Sequence, residues 1–301
     1  MPDNQTLPIV LAHGIARIDV LRETLIRELH LDDEQLDDHL QYFRGIRDFL
    51  RSQGFNAHHS SVGFADPVDE RAEQLSEEVN RILNQEDAAK VHIIAHSMGG
   101  LDARHMIVDI EGMDKKVASL TTIGTPHLGS PFANAGLGFG GEFLIKLLSP
   151  VLHLEGFRDL TIEACGAFND RARDKEATNG VAYQTYAGAE DRDSIFFPFL
   201  PSWRIVNREE GENDGLVSLT SQAWVKELVA SDGTRKKPVT QKPFPFPVDH
   251  LNEVGWWDPD ELKGISDLPT IVQRFTDYEV QIKKAYLDIA NSLNQLIAPK
   301  G

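Results

Sequence analysis

The sequence predicts an α/β protein: a mostly parallel central sheet with helices on both faces. Two observations predict it. Up to Thr125, apolar strand-like runs alternate with stretches of helical periodicity. Those runs are also near-continuous in apolar residues, as strands covered on both faces are. No repeat and no low-complexity linker interrupts the 301 residues, so they read as a single domain, residues 1–301, with one large core.

The elements follow in order. Residues 7–12 (LPIVLA) form an apolar strand ending at His13-Gly14. Residues 41–51 have helical spacing, with Phe43, Ile46, Phe49 and Leu50 on one face. Residues 55–62 read as a strand. A second helix is expected over 67–84, where Ala72, Leu75, Val79, Ile82 and Leu83 recur at helical intervals. Asp66 is placed to cap it, and Pro67 suits the first helical position. A strand over 90–95, a helix after Ser97 and a strand over 117–123 complete the alternation. Later come a strand over 181–187 and a long amphipathic helix over 270–296, with Ile271, Phe275, Tyr278, Ile282, Leu287 and Ile289 as its buried stripe.

Two segments break the rhythm. Residues 31–38 (LDDEQLDD) are acidic and read as a solvated loop or helix start. Residues 131–154 are glycine-rich and then strongly apolar, an excursion where the sheet pattern should resume.

Composition narrows the function. Acidic residues outnumber basic ones 47 to 30, a net charge of −17. A nucleic-acid partner is therefore excluded, because phosphate binding needs a basic face. Anionic membranes would repel this surface, whereas a neutral lipid interface stays open to it. Cys165 is the single cysteine, so no intrachain disulfide forms, and it reads as a buried structural thiol. The first residues show no basic segment followed by an apolar one, and no apolar run reaches the length of a membrane span. As given, the chain is expected to be cytoplasmic unless a leader has been removed.

The chemistry centres on residues 91–100, VHIIAHSMGG. Ala95-His96-Ser97-Met98-Gly99 is the G-x-S-x-G pattern of a nucleophile elbow with Ala at the first glycine. An elbow pushes its serine into the open on a strand-to-helix turn, so the residues two before and two after it must be small. Ala95 meets that need. In this fold the partners follow in the order acid, then histidine. Only His250 lies beyond residue 153 among the histidines, leaving it as the base. Asp191, Asp193, Glu209, Glu212 and Asp214 compete as the acid. Asp214 is best placed, in ENDGLVSL, where Asn213 and Gly215 mark a turn that Leu216-Val217 anchor to the core. The oxyanion needs two backbone donors: the Met98 amide, and the Ile15 amide in the His13-Gly14-Ile15 loop after the first strand. His13 reads as orienting that loop rather than moving protons.

Separated segments then agree in order: PIVLAHGI, YFRGIRDFLRSQGF, ERAEQL, VHIIAHSMGG, SLTTIGTPHLGS, LTIEACGAFN, ENDGLVSL and DHLNEV. Together, over about residues 7–256, they resemble the bacterial true lipases, family I of the Pseudomonas, Burkholderia and Proteus type. The resemblance implies an α/β-hydrolase fold, with Ser97 as nucleophile, Asp214 as acid, His250 as base, and Ile15 and Met98 as oxyanion donors. It departs from that family in two ways. Many members have an intramolecular disulfide, which a single cysteine rules out. Many bind a structural calcium through an Asp two positions after the histidine and a Gln further on. Here those places read Asn252 and Trp256, so no metal site or other cofactor carries over. Calcium held through Asn252 and an upstream acid is the alternative.

The expected function is ester hydrolysis through an acyl-enzyme, with a lipid or ester substrate met at a lipid–water interface, as in a triacylglycerol lipase. The rivals are a carboxylesterase or acyltransferase on soluble esters, and a non-catalytic binding protein on the same fold. The apolar excursion, with Phe143, Leu144, Ile145, Leu147, Leu148, Val151 and Leu152, is either packed core or an inserted helical lid over about residues 131–157. In the lid reading, Phe143, Leu147 and Leu148 bind the substrate.

Overall fold

The computed structural model describes residues 7–15, 41–63, 66–137, 155–256 and 268–298. Its centre is a seven-stranded sheet in the order β2-β1-β3-β4-β5-β7-β6. The strands are β1 (Ile9–Ala12), β2 (Ala57–His59), β3 (Val91–His96), β4 (Val117–Ile123), β5 (Ala182–Ala187), β6 (Glu227–Val229) and β7 (Lys236–Pro243). Every pairing is parallel except the antiparallel β6–β7 edge. The helices are α1 (Ile46–Ser52), α2 (Val68–Gln85), α3 (Met98–Asp109), α4 (Met113–Lys116), α5 (Pro131–Leu137), α6 (Ile162–Thr178), α7 (Leu200–Glu210), α8 (Leu219–Ala223) and α9 (Leu268–Ile297).

Burial on both faces explains the apolar strand runs. Ile9 and Leu11 of β1 join a core containing Ile46 and Leu50 of α1 and Ile282, Tyr286, Ile289 and Leu293 of α9. Val10 and Ala12 join the opposite core, with Leu75, Val79 and Ile82 of α2 and Met106 and Ile107 of α3. The period of two in a strand thus feeds two layers of helices.

The order of strands places the site. From β1 the chain goes to β2 on one side and returns to β3 on the other. Such a reversal opens a crevice at the carboxyl ends of β1 and β3, where ligands bind in open α/β sheets. The loop His13-Gly14-Ile15 follows β1, and Ser97 follows β3.

Local details depart from the expectations. The first helix begins at Ile46 because Gly45 takes a left-handed conformation, φ 66°, which interrupts the helical run. Tyr42 and Phe43 are buried ahead of the helix. β2 is three residues long. Asp66 does not cap α2: Pro67 holds the cap position, and the Asp66 carboxylate accepts from Gln74 Nε2 at 2.8 Å instead. The lid residues Phe143, Leu147 and Leu148, the side chain of Ile271 and the acidic segment 31–38 lie outside the described residues. Among the described residues, no helix is long and apolar enough to cross a membrane.

Candidate active site

β3 ends at His96 and α3 starts at Met98, so Ser97 alone makes the turn. Its backbone sits at φ 56°, ψ −133°, a region that costs a residue with a side chain about 1–3 kcal/mol. Neighbours on the β4 side hold it there. The Ser97 N–H donates to Ile123 O at 2.9 Å, and Thr125 Oγ1 donates to Ser97 O at 2.8 Å. A Cβ on Gly99 would lie 2.6 Å from both Ala12 O and His13 O; only a glycine lets α3 start this close to the loop after β1. Ala95 is fully buried and fits as it stands.

Asp214 and His250 arrive from loops beyond later strands and are tied together through the backbone, His250 N–H donating to Asp214 O at 2.9 Å. Their side chains meet as well. His250 Nδ1 lies 2.8 Å from Asp214 Oδ2, and His250 Nε2 lies 2.8 Å from Ser97 Oγ. A carboxylate only accepts, so Nδ1 carries the proton and Nε2 is free to accept from the serine hydroxyl. Asp214 is fully buried and held in place. Its Oδ1 accepts from the amides of Leu216 and Val217 at 2.8 and 2.7 Å, and Gln222 Nε2 donates to Oδ2 at 3.1 Å. Gly215, at φ 103°, lets the chain turn back to supply those amides.

Of the two expected oxyanion donors, Met98 is the first residue of α3, so its N–H has no partner within the helix. The Ile15 amide is oriented indirectly. The Gly14 carbonyl accepts from His13 Nδ1 at 2.8 Å, and in a trans peptide the N–H of the following residue points the opposite way. Arg71, fully buried on α2, donates Nη2 to His13 O at 2.8 Å and to Asp102 Oδ2 at 2.6 Å, and Nη1 to Gly63 O. Sequence reasoning missed this clamp, since Arg71 and Asp102 look like ordinary polar positions of amphipathic helices. Burial lifts the Asp102 pKa to about 6 against the pull of Arg71. Burial, with Arg71 adding to it, depresses His13 to about 3. His13 therefore stays neutral and orients the loop.

Three further buried polar residues escape the sequence reading: His96 and Glu253, which lie beside the base, and Tyr42, which bonds to His96. Burial, reinforced by Asp214 and Asp249, holds the Glu253 carboxyl well above the usual carboxylate range. Burial, then the nearby His250, holds His96 well below the ordinary histidine value.

Beside Ser97 and His250 opens a narrow cavity walled by Phe132, Ala133, Phe157, Leu160, Leu216 and Val217. Phe132 and Phe157, near the two ends of the excursion, meet edge to face with ring centres 5.1 Å apart. Cys165 is buried among carbonyls, and burial pushes its thiol up to about 12, as a structural thiol requires.

The loop after His250 is cross-linked by its own side chains. Asn252 Nδ2 donates to Trp256 O at 3.0 Å, closing the loop on itself, and Trp256 Nε1 donates to Tyr42 O at 3.0 Å. The Asp249 carboxylate is taken by amides. Leu251 and Asn252 donate to its Oδ1, both at 2.9 Å, and Phe196 to its Oδ2 at 3.1 Å.

Residues 31–139 match the model of the PGAP1-like alpha/beta domain. Triacylglycerol lipase 2 of Saccharomyces cerevisiae is 29% identical over 280 residues, covering 83% of this chain and 80% of that protein. A triacylglycerol lipase of Vibrio cholerae is 29% identical over 320 residues, covering 96% and 88%. Among solved structures, the mature Bacillus licheniformis lipase BlEst2 superposes with a TM-score of 0.59 at 17% identity, covering 91% of this chain and 94% of that one. The metagenomic carboxyl esterase MGS0156 gives 0.61 at 16%, covering 97% and 77%. The fold is the α/β-hydrolase fold.

Proposed function

We propose that this chain, an α/β-hydrolase of the lipase family, is a serine carboxylic-ester hydrolase that cleaves acyl esters of lipids, most specifically a triacylglycerol lipase. One observation carries the reading: Ser97 Oγ, His250 and Asp214 are linked by two 2.8 Å hydrogen bonds at the mouth of a carbon-walled cavity. Within the family we place the chain with bacterial true lipases of the Pseudomonas, Burkholderia and Proteus type, on the order of its motifs.

The reaction follows from the geometry. Ser97 Oγ attacks the ester carbonyl as its proton passes to His250 Nε2, while Asp214 holds the imidazolium through Nδ1. The Ile15 and Met98 amides receive the oxyanion. The leaving alcohol takes the proton from Nε2 and departs, leaving an acyl-Ser97. Water then attacks the acyl-enzyme with His250 as base, and the acid and Ser97 are released. The acyl chain lies among Phe132, Phe157, Leu160 and Val217. The described ends of the 131–157 excursion, at Phe132 and Phe157, wall that cavity, which supports reading the excursion as a lid. No step involves a metal, and we propose that activity does not depend on calcium.

Replacing Ser97 with Ala tests the assignment. Turnover of p-nitrophenyl esters falls to background with an unchanged melting temperature; retained turnover refutes it. A chain-length series, with and without chelator, separates lipase from carboxylesterase. The narrowness of the cavity favours the latter only if rates collapse beyond short acyl chains.

A further inference from the structure

We propose that Glu253 is a positioning residue that locks the catalytic base and the oxyanion loop into one hydrogen-bonded unit, acting through His96 and Tyr42. The inference rests on the hydrolase reading of the same site and goes beyond its triad.

The unit is continuous in space although its members are far apart in sequence. Glu253 sits in the short helical turn Asn252–Val254, directly after His250. Its Oε2 lies 2.9 Å from His96 Nε2 and 3.8 Å from His250 Nδ1. His96 Nδ1 in turn lies 2.8 Å from Tyr42 Oη. That hydroxyl stands directly under the oxyanion loop, where a Cβ on Gly14 would be 2.7 Å from it, and the Gly14 amide hydrogen-bonds to it. The rings of His96 and His250 are 4.5 Å apart. From the helical layer, Tyr286 Oη donates to Glu253 O at 2.9 Å and fixes the turn itself.

The fold makes room for this carboxyl. A Cβ on Gly124, just past β4, would collide with Glu253 Oε2, and one on Gly188, just past β5, would lie 2.7 Å from Oε1. Two strand ends thus give up a side chain at the place the carboxyl fills. Oε1 has no hydrogen-bond partner among the described residues. Asp214 and Asp249 are the charged groups that act on the carboxyl, and both disfavour its ionisation. An orphaned carboxylate oxygen would be costly there, whereas the carbonyl of a neutral acid costs far less.

Glu253 therefore keeps its proton, and His96 bridges it to Tyr42, with Nε2 on the carboxyl and Nδ1 on the hydroxyl. This arrangement matters for the base. A second carboxylate beside His250 Nδ1 would compete with Asp214 for its proton and pull the ring from its line to Ser97. As a neutral acid, Glu253 instead braces the turn that carries His250, while Tyr42 braces the loop that carries the Ile15 amide. The two halves of the machinery then hold one mutual geometry. Displacements near 1 Å in such a geometry cost about 100-fold in rate.

The test compares Glu253→Gln, Glu253→Ala, Tyr42→Phe and the Glu253→Ala/Tyr42→Phe double variant, reading kcat and KM on a p-nitrophenyl ester. Gln is a neutral near-isostere of the protonated acid and can donate or accept towards His96 Nε2, so it keeps at least about a third of kcat. Glu253→Ala and Tyr42→Phe each lose about tenfold or more in kcat with KM within about twofold, and the double variant loses no more than about the larger single, as members of one unit do. A Gln variant as slow as the Ala variant, an Ala variant at the wild-type rate, or losses that multiply in the double variant overturns the inference. If Glu253→Ala does not fold, the two near-isosteric variants decide: a Gln variant below about a tenth of kcat, or Tyr42→Phe at the wild-type rate, overturns it. A wild-type protein that turns over no ester overturns the hydrolase reading itself, and is told apart by that control.

Discussion

Asp214→Asn isolates the contribution of the triad acid, and the structure sets its size. Asp214 is fully buried and accepts four hydrogen bonds, two at Oδ1 from the Leu216 and Val217 amides and two at Oδ2 from Gln222 Nε2 and His250 Nδ1. The introduced amide can leave its oxygen facing the backbone donors, which places its NH2 against two further donors. Gln222 cannot turn to accept, because its Oε1 takes the Gly188 amide at 2.7 Å while its Nε2 donates to the Gly188 and Val217 carbonyls, each at 2.9 Å. His250 can yield: it moves its proton to Nε2 so that Nδ1 accepts from the introduced NH2. Nε2–H then faces Ser97 Oγ, and the base is gone. Such tautomer reversal in a serine triad costs about 10⁴ in kcat, or about 5.4 kcal/mol at about 1.36 kcal/mol per decade. The buried donor clash at Gln222 costs about 1–3 kcal/mol of stability, too little to unfold a domain of this size. Steady-state kinetics on a p-nitrophenyl ester and a urea titration measure the two effects separately. A loss below about 30-fold refutes the reasoning, because it means that His250 keeps its tautomer without Asp214.

Other perturbations reach the same site from its supports. Gly99→Ala puts a methyl 2.6 Å from two backbone oxygens beside the oxyanion loop, so kcat falls about 100-fold while the far-ultraviolet circular dichroism is retained; a rate within twofold of wild type contradicts the close approach. Arg71→Met leaves the Asp102 carboxylate buried and unpaired, which costs about 3–5 kcal/mol in urea unfolding, and adding Asp102→Leu restores most of it; equal losses in the single and double variants would show that the pair is not coupled. Acid weakens the fold through buried neutral histidines. His13 is depressed to about 3, His92 and His105 to about 4, and His96 and His127 also fall, each chiefly by burial. Unfolded histidine takes a proton near pH 6.5, so below that value the unfolded chain binds more protons and stability drops as pH falls. Each such group contributes up to about 1.36 kcal/mol per pH unit between about 6.5 and its folded value. Asp102 and Glu253, whose values are raised, oppose this slope above about pH 4.5. The urea midpoint therefore falls steeply from pH 6.5 to 4; a flat midpoint over that range contradicts it.

What can be read from the sequence shares one physical character. β1, β3 and β4 predict themselves from local apolar runs, whereas β6 and the polar edge strand β7, KKPVTQKP, go unread; the order Ser97, Asp214, His250 needs only the chain direction and a scarcity of late histidines. The structure brings those three side chains together. What cannot be read is non-local. His96 and Glu253 meet across 157 residues and Tyr42 and His96 across 54, and nothing in DHLNEV marks its glutamate as buried. Arg71 escapes for the opposite reason: it sits in ERAEQL, where a charged residue on an amphipathic helix normally faces water. The start of α1 is hidden because Tyr42 and Phe43 are buried from a loop, and burial without helix mimics helical periodicity. The Asp66 cap fails because a better partner, Gln74, lies one helical face along.

The buried polar groups also explain how the site keeps its shape. Ser97 is held at a strained φ, and a strained turn persists only when its surroundings over-determine it. Three sets of ties supply that constraint. β4 and Thr125 hold the Ser97 peptide, Arg71 and Asp102 hold the loop after β1, and Glu253 with His96 holds the turn after β7. Each tie buries polar or charged groups, which costs stability wherever partners are imperfect, and Asp102 Oδ1 and Glu253 Oε1 are both left without hydrogen bonds among the described residues. Such groups gather where the strands deliver their carboxyl ends, while α2 and α9 pack the two faces with aliphatic side chains. The apolar layers therefore supply the stability that the polar edge consumes. A variant chosen only to stabilise this edge, such as an apolar replacement of Glu253 and His96 together, should raise the melting temperature while lowering kcat; a gain in both would show that the polar ties are not what holds the nucleophile, base and oxyanion loop in register.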